Sequence, residues 1–199
     1  MTHQSKDLQD FIDHTFNCIR ADPNVAQSTI AVVSRISAAL KTPAERTNEL
    51  EPRQLPVCRF IDAALETARR KSAGLAKVAD AFEHLRPSLT WTQRASSNES
   101  APEFWDGHAN AILVGPTGLE VRDDVWIGMT LMAPNIRYPD HQHAPEEAYL
   151  ALSAGEWWRE GEEWFSPGVG GTLYNSPNIF HAMRSGSDPF LAIWCLPLR

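Results

Sequence analysis

Tyr138-Pro139-Asp140-His141-Gln142-His143-Ala144-Pro145-Glu146-Glu147-Ala148-Tyr149 sets two histidines at i and i+2, a carboxylate four residues on, and a tyrosine two beyond that. Alternate residues of a β-strand share a face, so His141 and His143 can point one way, and Glu147 and Tyr149 likewise. Neutral imidazoles and a carboxylate suit a borderline divalent ion such as zinc, iron(II) or manganese. One more ligand would complete an open site, and His181 is the only histidine downstream. His141, His143, Glu147 and His181 are therefore the candidates for holding one divalent metal ion. His141 follows Pro139 in an expected loop, so it reads as either a ligand or a neighbouring helper. His3, His14, His84 and His108 fit no such constellation and read as surface or helix residues.

Tyr149 shares strand parity with Glu147 and should face the same interior. A phenol beside a divalent cation ionises below its free pKa of about 10, and could then serve as a base or a ligand. The plainer alternative is a core tyrosine with a satisfied hydroxyl. Tyr138 could line the mouth of the same cavity, and Tyr174 is a weaker candidate. Seven tryptophans are many for 199 residues. Trp126, Trp157, Trp158, Trp164 and Trp194 read mostly as core or wall, with some free to offer an aromatic face to a cation.

The rest of the chain bounds the setting. A hydrophobic content of 43% with 22% charged residues is that of a globular protein with its own core. Residues 1–86 hold 12 Lys+Arg against 11 Asp+Glu, and residues 87–199 hold 6 against 14. A second half at −8 argues against a polyanionic partner such as nucleic acid and favours a cationic or zwitterionic small molecule. All four lysines lie in the first half, which excludes Schiff-base chemistry in the second. Cys18, Cys58 and Cys195 are far apart and read as buried hydrophobes in a reducing compartment. No secretory signal and no apolar run of about 20 residues is seen, so a cytoplasmic protein with no membrane partner, monomeric or homodimeric, is expected.

Leu8, Phe11, Ile12, Phe16 and Ile19 predict a first amphipathic helix, which Asp22-Pro23 ends while opening the next. Val25, Thr29, Val32, Val33, Ile36 and Leu40 form a second stripe. Residues 41–56, with Pro43, Pro52 and Pro56, read as a connection. Val57–Leu85 keeps a helical period that Gly74 kinks or splits and Arg86-Pro87 stops. Residues 96–102 form a loop, and short β-rich runs follow: Ala109–Val114, Val125–Met132, Ala148–Ser153, a hairpin about Glu160-Gly161, Thr172–Tyr174, His181–Arg184 and Phe190–Leu196. The expectation is mainly β: residues 1–90 a helical region packing on a barrel, and residues 91–199 the barrel with its site.

The spacing His-x-His-x3-Glu with Gly155, then Gly171-x5-Pro177-x3-His181, resembles the two motifs of the cupins. That resemblance implies a double-stranded β-helix barrel in which the four side chains meet on one metal. The chain departs from the pattern: Gly155 falls one residue late, no glycine follows Pro177, His181 comes one residue early, and Ser185 stands where an asparagine is common. The full set Tyr-x2-His-x-His-x3-Glu-x-Tyr with a later histidine is similar to the cupin-type dimethylsulfoniopropionate (DMSP) lyases of the DddQ group. That likeness implies β-elimination of DMSP to acrylate and dimethyl sulfide. It implies His143, Glu147 and His181 as metal ligands with His141 as ligand or helper, Tyr149 as catalytic base and Tyr138 as a substrate-positioning or assisting residue. It also implies an aromatic wall for the sulfonium and a lid made by the helices or the loop near Ala133–Pro139. An iron-dependent cupin dioxygenase or a non-catalytic osmolyte-binding cupin would use the same ligands, and a sugar isomerase would miss its lysine.

Overall fold

The computed structural model describes residues 6–42, 44, 46–47, 50–94 and 102–199; His3, Pro43 and residues 96–101 of the expected loop lie outside them. Helix α1 (Lys6–Ala21) buries the stripe from Leu8 to Ile19. Helix α2 (Gln27–Ala39) buries Thr29, Val32, Val33 and Ile36 but begins four residues after Pro23, behind an extended Ala26. The third helical stretch is a 3-10 turn (Pro56–Phe60), then α3 (Ile61–Lys71) and α4 (Ala73–Leu85). The break falls at Ser72 rather than Gly74. Ser72 is extended and its hydroxyl accepts the Leu75 N–H at 3.2 Å, so a cap opens α4 where a glycine kink was expected.

The strands are β1 (Arg46–Thr47), β2 (Trp91–Thr92), β3 (His108–Val114), β4 (Glu120–Val121), β5 (Val125–Met132), β6 (Arg137–His141), β7 (Glu147–Ala151), β8 (Glu156–Arg159), β9 (Thr172–Asn175), β10 (His181–Arg184) and β11 (Phe190–Pro197), with a short helix α5 (Pro102–Gly107) before β3. The larger sheet runs β1-β4-β3-β5-β11-β7-β9 with β2 on β3, and the smaller runs β6-β10-β8. Strand β6 was expected as loop because of Pro139. Among the described residues it is an edge strand paired only with β10, where a missing N–H costs no ladder bond.

Strand β7 is buried along its whole length, and the neighbouring strands explain why. Ala148 and Leu150 join one apolar cluster with Leu191, Ile193 and the helices, whereas Tyr149 and Ala151 join a second with Tyr138, Trp157, Met183 and Phe190. The helices cover one face of the large sheet, and the small sheet closes over the other to form the barrel interior. A strand covered on both faces needs no polar side, so β5, β7 and β11 read as near-continuous apolar runs. Alternation then sends Glu147, Tyr149 and Ala151 inward together.

Wall packing is tight where β5 passes β11. A Cβ built on Gly128 would lie 2.3 Å from the Trp194 ring and 2.6 Å from the Ala111 carbonyl oxygen. Gly128→Ala is expected to lower stability by about 1–3 kcal/mol through overpacking, read from urea unfolding, and to shift Trp194 fluorescence. An unchanged midpoint would show that the wall yields freely there.

Candidate metal centre

Within the barrel lies a cavity of about 410 Å³ whose lining includes Tyr138, His141, His143, Glu147 and Tyr149. Three side chains converge on one point. His143 Nε2 lies 3.3 Å and His181 Nε2 3.4 Å from Glu147 Oε2, and suitable ligand atoms of all three fall within 4.8 Å of one another. Each residue arrives differently. Glu147 opens β7 and points inward by parity, His181 opens β10, and His143 stands in the loop after β6, not on a continuing strand as its spacing suggested.

The imidazoles are held by their far nitrogens. His143 Nδ1 donates to the Pro145 carbonyl at 2.8 Å and His181 Nδ1 to the Ile179 carbonyl at 3.0 Å. That arrangement turns each Nε2 lone pair toward Glu147, and among the described residues both buried Nε2 atoms have no hydrogen-bond partner. Asn175, opposite Glu147 in the β7–β9 ladder, donates to Glu147 Oε2 at 3.1 Å. Two orphaned, buried ring nitrogens facing a carboxylate fit a divalent cation well, and the two-histidine, one-carboxylate set leaves positions open. Burial opposes ionisation of Glu147, but the two imidazoles outweigh it and hold its carboxyl far below the usual range. Burial likewise lowers His143, yet Glu147 prevails and raises it.

His141 sits beside this trio, outside the group that closes on one point. It pairs with His181 across the β6–β10 ladder, their ring centroids 4.0 Å apart, and its Nδ1 bonds the Pro139 carbonyl. Burial, reinforced by His181 and Arg94, lowers its pKa to about 3, so it is neutral. Tyr149 is buried, and burial and then Glu147 push its phenol well above the ordinary value. Tyr138 packs edge-on to Phe104 at 4.6 Å and lies 4.8 Å from the His141 ring. Tyr174 faces the other way, its hydroxyl donating to Glu146 at 2.9 Å. Trp126 and Trp194 line the cavity, whereas Trp157 is buried under Tyr149 and Trp164 stacks against Arg137 and Arg184.

Several features escaped the sequence. His108, read as a surface or helix residue, is wholly buried on β3, its Nδ1 donating to the Phe104 carbonyl and its Nε2 accepting the Arg94 N–H. Arg94, Asn110 and Thr130 also line the cavity. The segment before β6 is clamped by Ser185, whose hydroxyl accepts the Ile136 N–H and donates to the Ala133 carbonyl. The helices cover the opposite face of the large sheet, away from the cavity where a lid was expected.

The fold is a cupin barrel, and its interior carries a His/Glu/His group whose geometry is compatible with one metal ion. A family model described as dimethylsulfoniopropionate lyase matches residues 28–192, and the chain belongs to that family. It is 26% identical to the DMSP lyase DddQ of Ruegeria pomeroyi over 149 residues, which span 73% of this chain and 74% of that protein. It is 27% identical to a putative DMSP lyase DddL of Cereibacter sphaeroides, spanning 70% of this chain and 57% of that protein. The crystal structure of DddQ from Ruegeria pomeroyi superposes with a TM-score of 0.70 at 19% identity, over 98% of this chain and 92% of that one. A chain from the crystal structures of the DMSP lyases RdDddP and RnDddQII also gives 0.70, at 20% identity over 96% and 92%. Among the described residues, no helix is long and apolar enough to cross a membrane.

Glu147→Ala is expected to lose bound divalent metal after dialysis, measured by atomic absorption. Uptake by the unsubstituted protein should weaken as pH falls below neutrality, because the raised His143 then holds a proton that the ion must displace. His108 supplies a second, separate dependence. Its pKa is lowered by burial to about 4, so the unfolded chain binds the proton first as pH drops. Stability should fall between pH 6.5 and 4, by about 3 kcal/mol from this group, and His108→Gln should flatten that part of a urea-unfolding series.

Proposed function

We propose that this chain is a metal-dependent lyase that cleaves DMSP by β-elimination to acrylate and dimethyl sulfide, with Tyr149 as the base. The observation that carries the reading is the inward face of β7, which sets the Tyr149 phenol beside the Glu147 carboxylate at the point where His143 and His181 converge. His143, Glu147 and His181 are the proposed ligands of one zinc, iron(II) or manganese ion, with neutral His141 as a helper at its edge. Such an ion offsets the second negative charge that develops when a proton leaves the carbon next to a carboxylate, and it favours the phenolate form of Tyr149.

Tyr149 Oη accepts the α-proton. The electrons of that C–H bond form the C=C bond of acrylate as the C–S bond breaks, and dimethyl sulfide leaves with the sulfonium's positive charge cancelled. No strong acid is needed for a neutral leaving group. The phenol lies almost wholly buried on the cavity wall, packed against Trp157. Tyr138 positions the substrate, held between Phe104 and the His141 ring. Trp126 and Trp194 supply the aromatic wall for the sulfonium. Free Cys18, Cys58 and Cys195 fit a protein working in the reducing cytoplasm.

Headspace dimethyl sulfide released from DMSP tests the reading. Tyr149→Phe should lower kcat by about 10²–10⁴-fold while leaving metal content unchanged. Protein loaded in turn with zinc, iron(II) and manganese that releases no sulfide would refute the assignment. A dioxygenase built on the same ligands would instead consume oxygen and be indifferent to Tyr149→Phe.

A further inference from the structure

The trio and Tyr149 account for the chemistry but leave open how a small zwitterion is oriented in a cavity of about 410 Å³. We propose that Arg94 is a specificity-determining residue that grips the substrate's carboxylate, in a subsite beside Tyr138, and so fixes which end of the substrate meets the metal group. The substrate class rests on the lyase reading above; the carboxylate subsite rests on the geometry alone.

Among the described residues that line the cavity, Arg94 is the single lysine or arginine and Glu147 the single aspartate or glutamate. The other five arginines after residue 86 lie outside that lining. Arg94 already has partners in the protein, Tyr138 among them, but a guanidinium carries five donors and can take a carboxylate beside them on this cavity wall.

Its backbone is held by neighbouring side-chain contacts. Gln93 Nε2 donates to the Trp105 carbonyl at 3.0 Å, and buried His108 accepts the Arg94 N–H at 2.9 Å while its other nitrogen is tied to Phe104. The guanidinium then lies 5.7 Å over the Tyr138 ring. Thr130 donates to Asn110 Oδ1 at 2.6 Å, and Trp194 Nε1 donates to that same Thr130 hydroxyl at 3.1 Å. Asn110 also bonds the Tyr138 hydroxyl, so a run of polar groups joins the Arg94–Tyr138 side to the Trp194 wall. The positive field of Arg94 is felt at Tyr138, His141, His143 and Tyr149, opposing positive charge on the histidines and favouring a phenolate.

Orientation follows from charge. With the carboxylate at Arg94, the cationic end lies toward the faces of Trp126 and Trp194; the reverse pose sets a sulfonium beside a guanidinium. The planar fork also prefers a carboxylate to a halide or a lone hydroxyl, since two parallel N–H···O bonds form.

The test is calorimetric binding of acrylate and of trimethylsulfonium to the metal-loaded protein and to Arg94→Gln and Arg94→Lys, alongside DMSP kinetics. Arg94→Gln should weaken acrylate binding and raise KM for DMSP by about tenfold to a hundredfold, as loss of a charged hydrogen-bonded pair does. Trimethylsulfonium binding and metal content should not change, and Arg94→Lys should recover part of the acrylate affinity. Should Arg94→Gln fail to fold, Arg94→Lys, which keeps the charge but not the fork, gives the same comparison through its expected partial loss. Equal acrylate affinity in both folded variants and the unsubstituted protein would overturn the proposal. Arg94-dependent acrylate binding without dimethyl sulfide release would instead sink the lyase reading and leave the subsite standing.

Discussion

Everything in this molecule depends on the double covering of strand β7. Helices press on one of its faces and the barrel interior on the other, so each residue along it is buried and only parity decides which compartment it enters. A one-residue slip would send Glu147 and Tyr149 into the helix-facing core and bring Ala148 and Leu150 to the cavity. The register is pinned on both sides, by β11 through Tyr149↔Trp194 and by β9 through Glu147↔Asn175. The position of the reactive groups is thus a consequence of sheet packing.

Glu147 shows what that position demands. A buried carboxylate is costly unless it is paired and hydrogen-bonded. Here two imidazoles and the Asn175 amide meet it, while both imidazole Nε2 atoms and the Asn175 carbonyl oxygen remain unsatisfied. Such a concentration of unmet polar atoms at one buried point fits a site for a cation. The same burial that raises the Tyr149 phenol makes its ionisation conditional on positive charge nearby.

Much of this was readable in the residues. The helical stripes of α1 and α2, the exact span of β5 and β10, and the inward parity of Glu147 and Tyr149 follow from spacing that burial enforces. What escaped reading was decided by non-local partners. Pro139 argued for a loop, yet an edge position makes proline harmless, so β6 was missed. Ser72 split the third helix where Gly74 was the more visible breaker. His108 has no metal-like spacing, and only the fold shows it gripping the backbone of Arg94. Arg94 itself gave one faint signal, an arginine near the start of the acidic half. Ser185, a departure from the usual cupin asparagine, turns out to pin residues 133–136 through its hydroxyl.

Arg35 on α2 forms an ion pair with Glu146, which also takes the Tyr174 hydroxyl, and Asp22 between α1 and α2 accepts both the amide and the hydroxyl of Thr172 on β9. These ties reach the residue adjoining Glu147 and the strand that backs it. The N-terminal helices are therefore mechanical anchorage for the segment that carries His143 and Glu147 as well as insulation for the sheet. A chain cut back to its sheets would lose both ties and leave that segment held by the barrel alone.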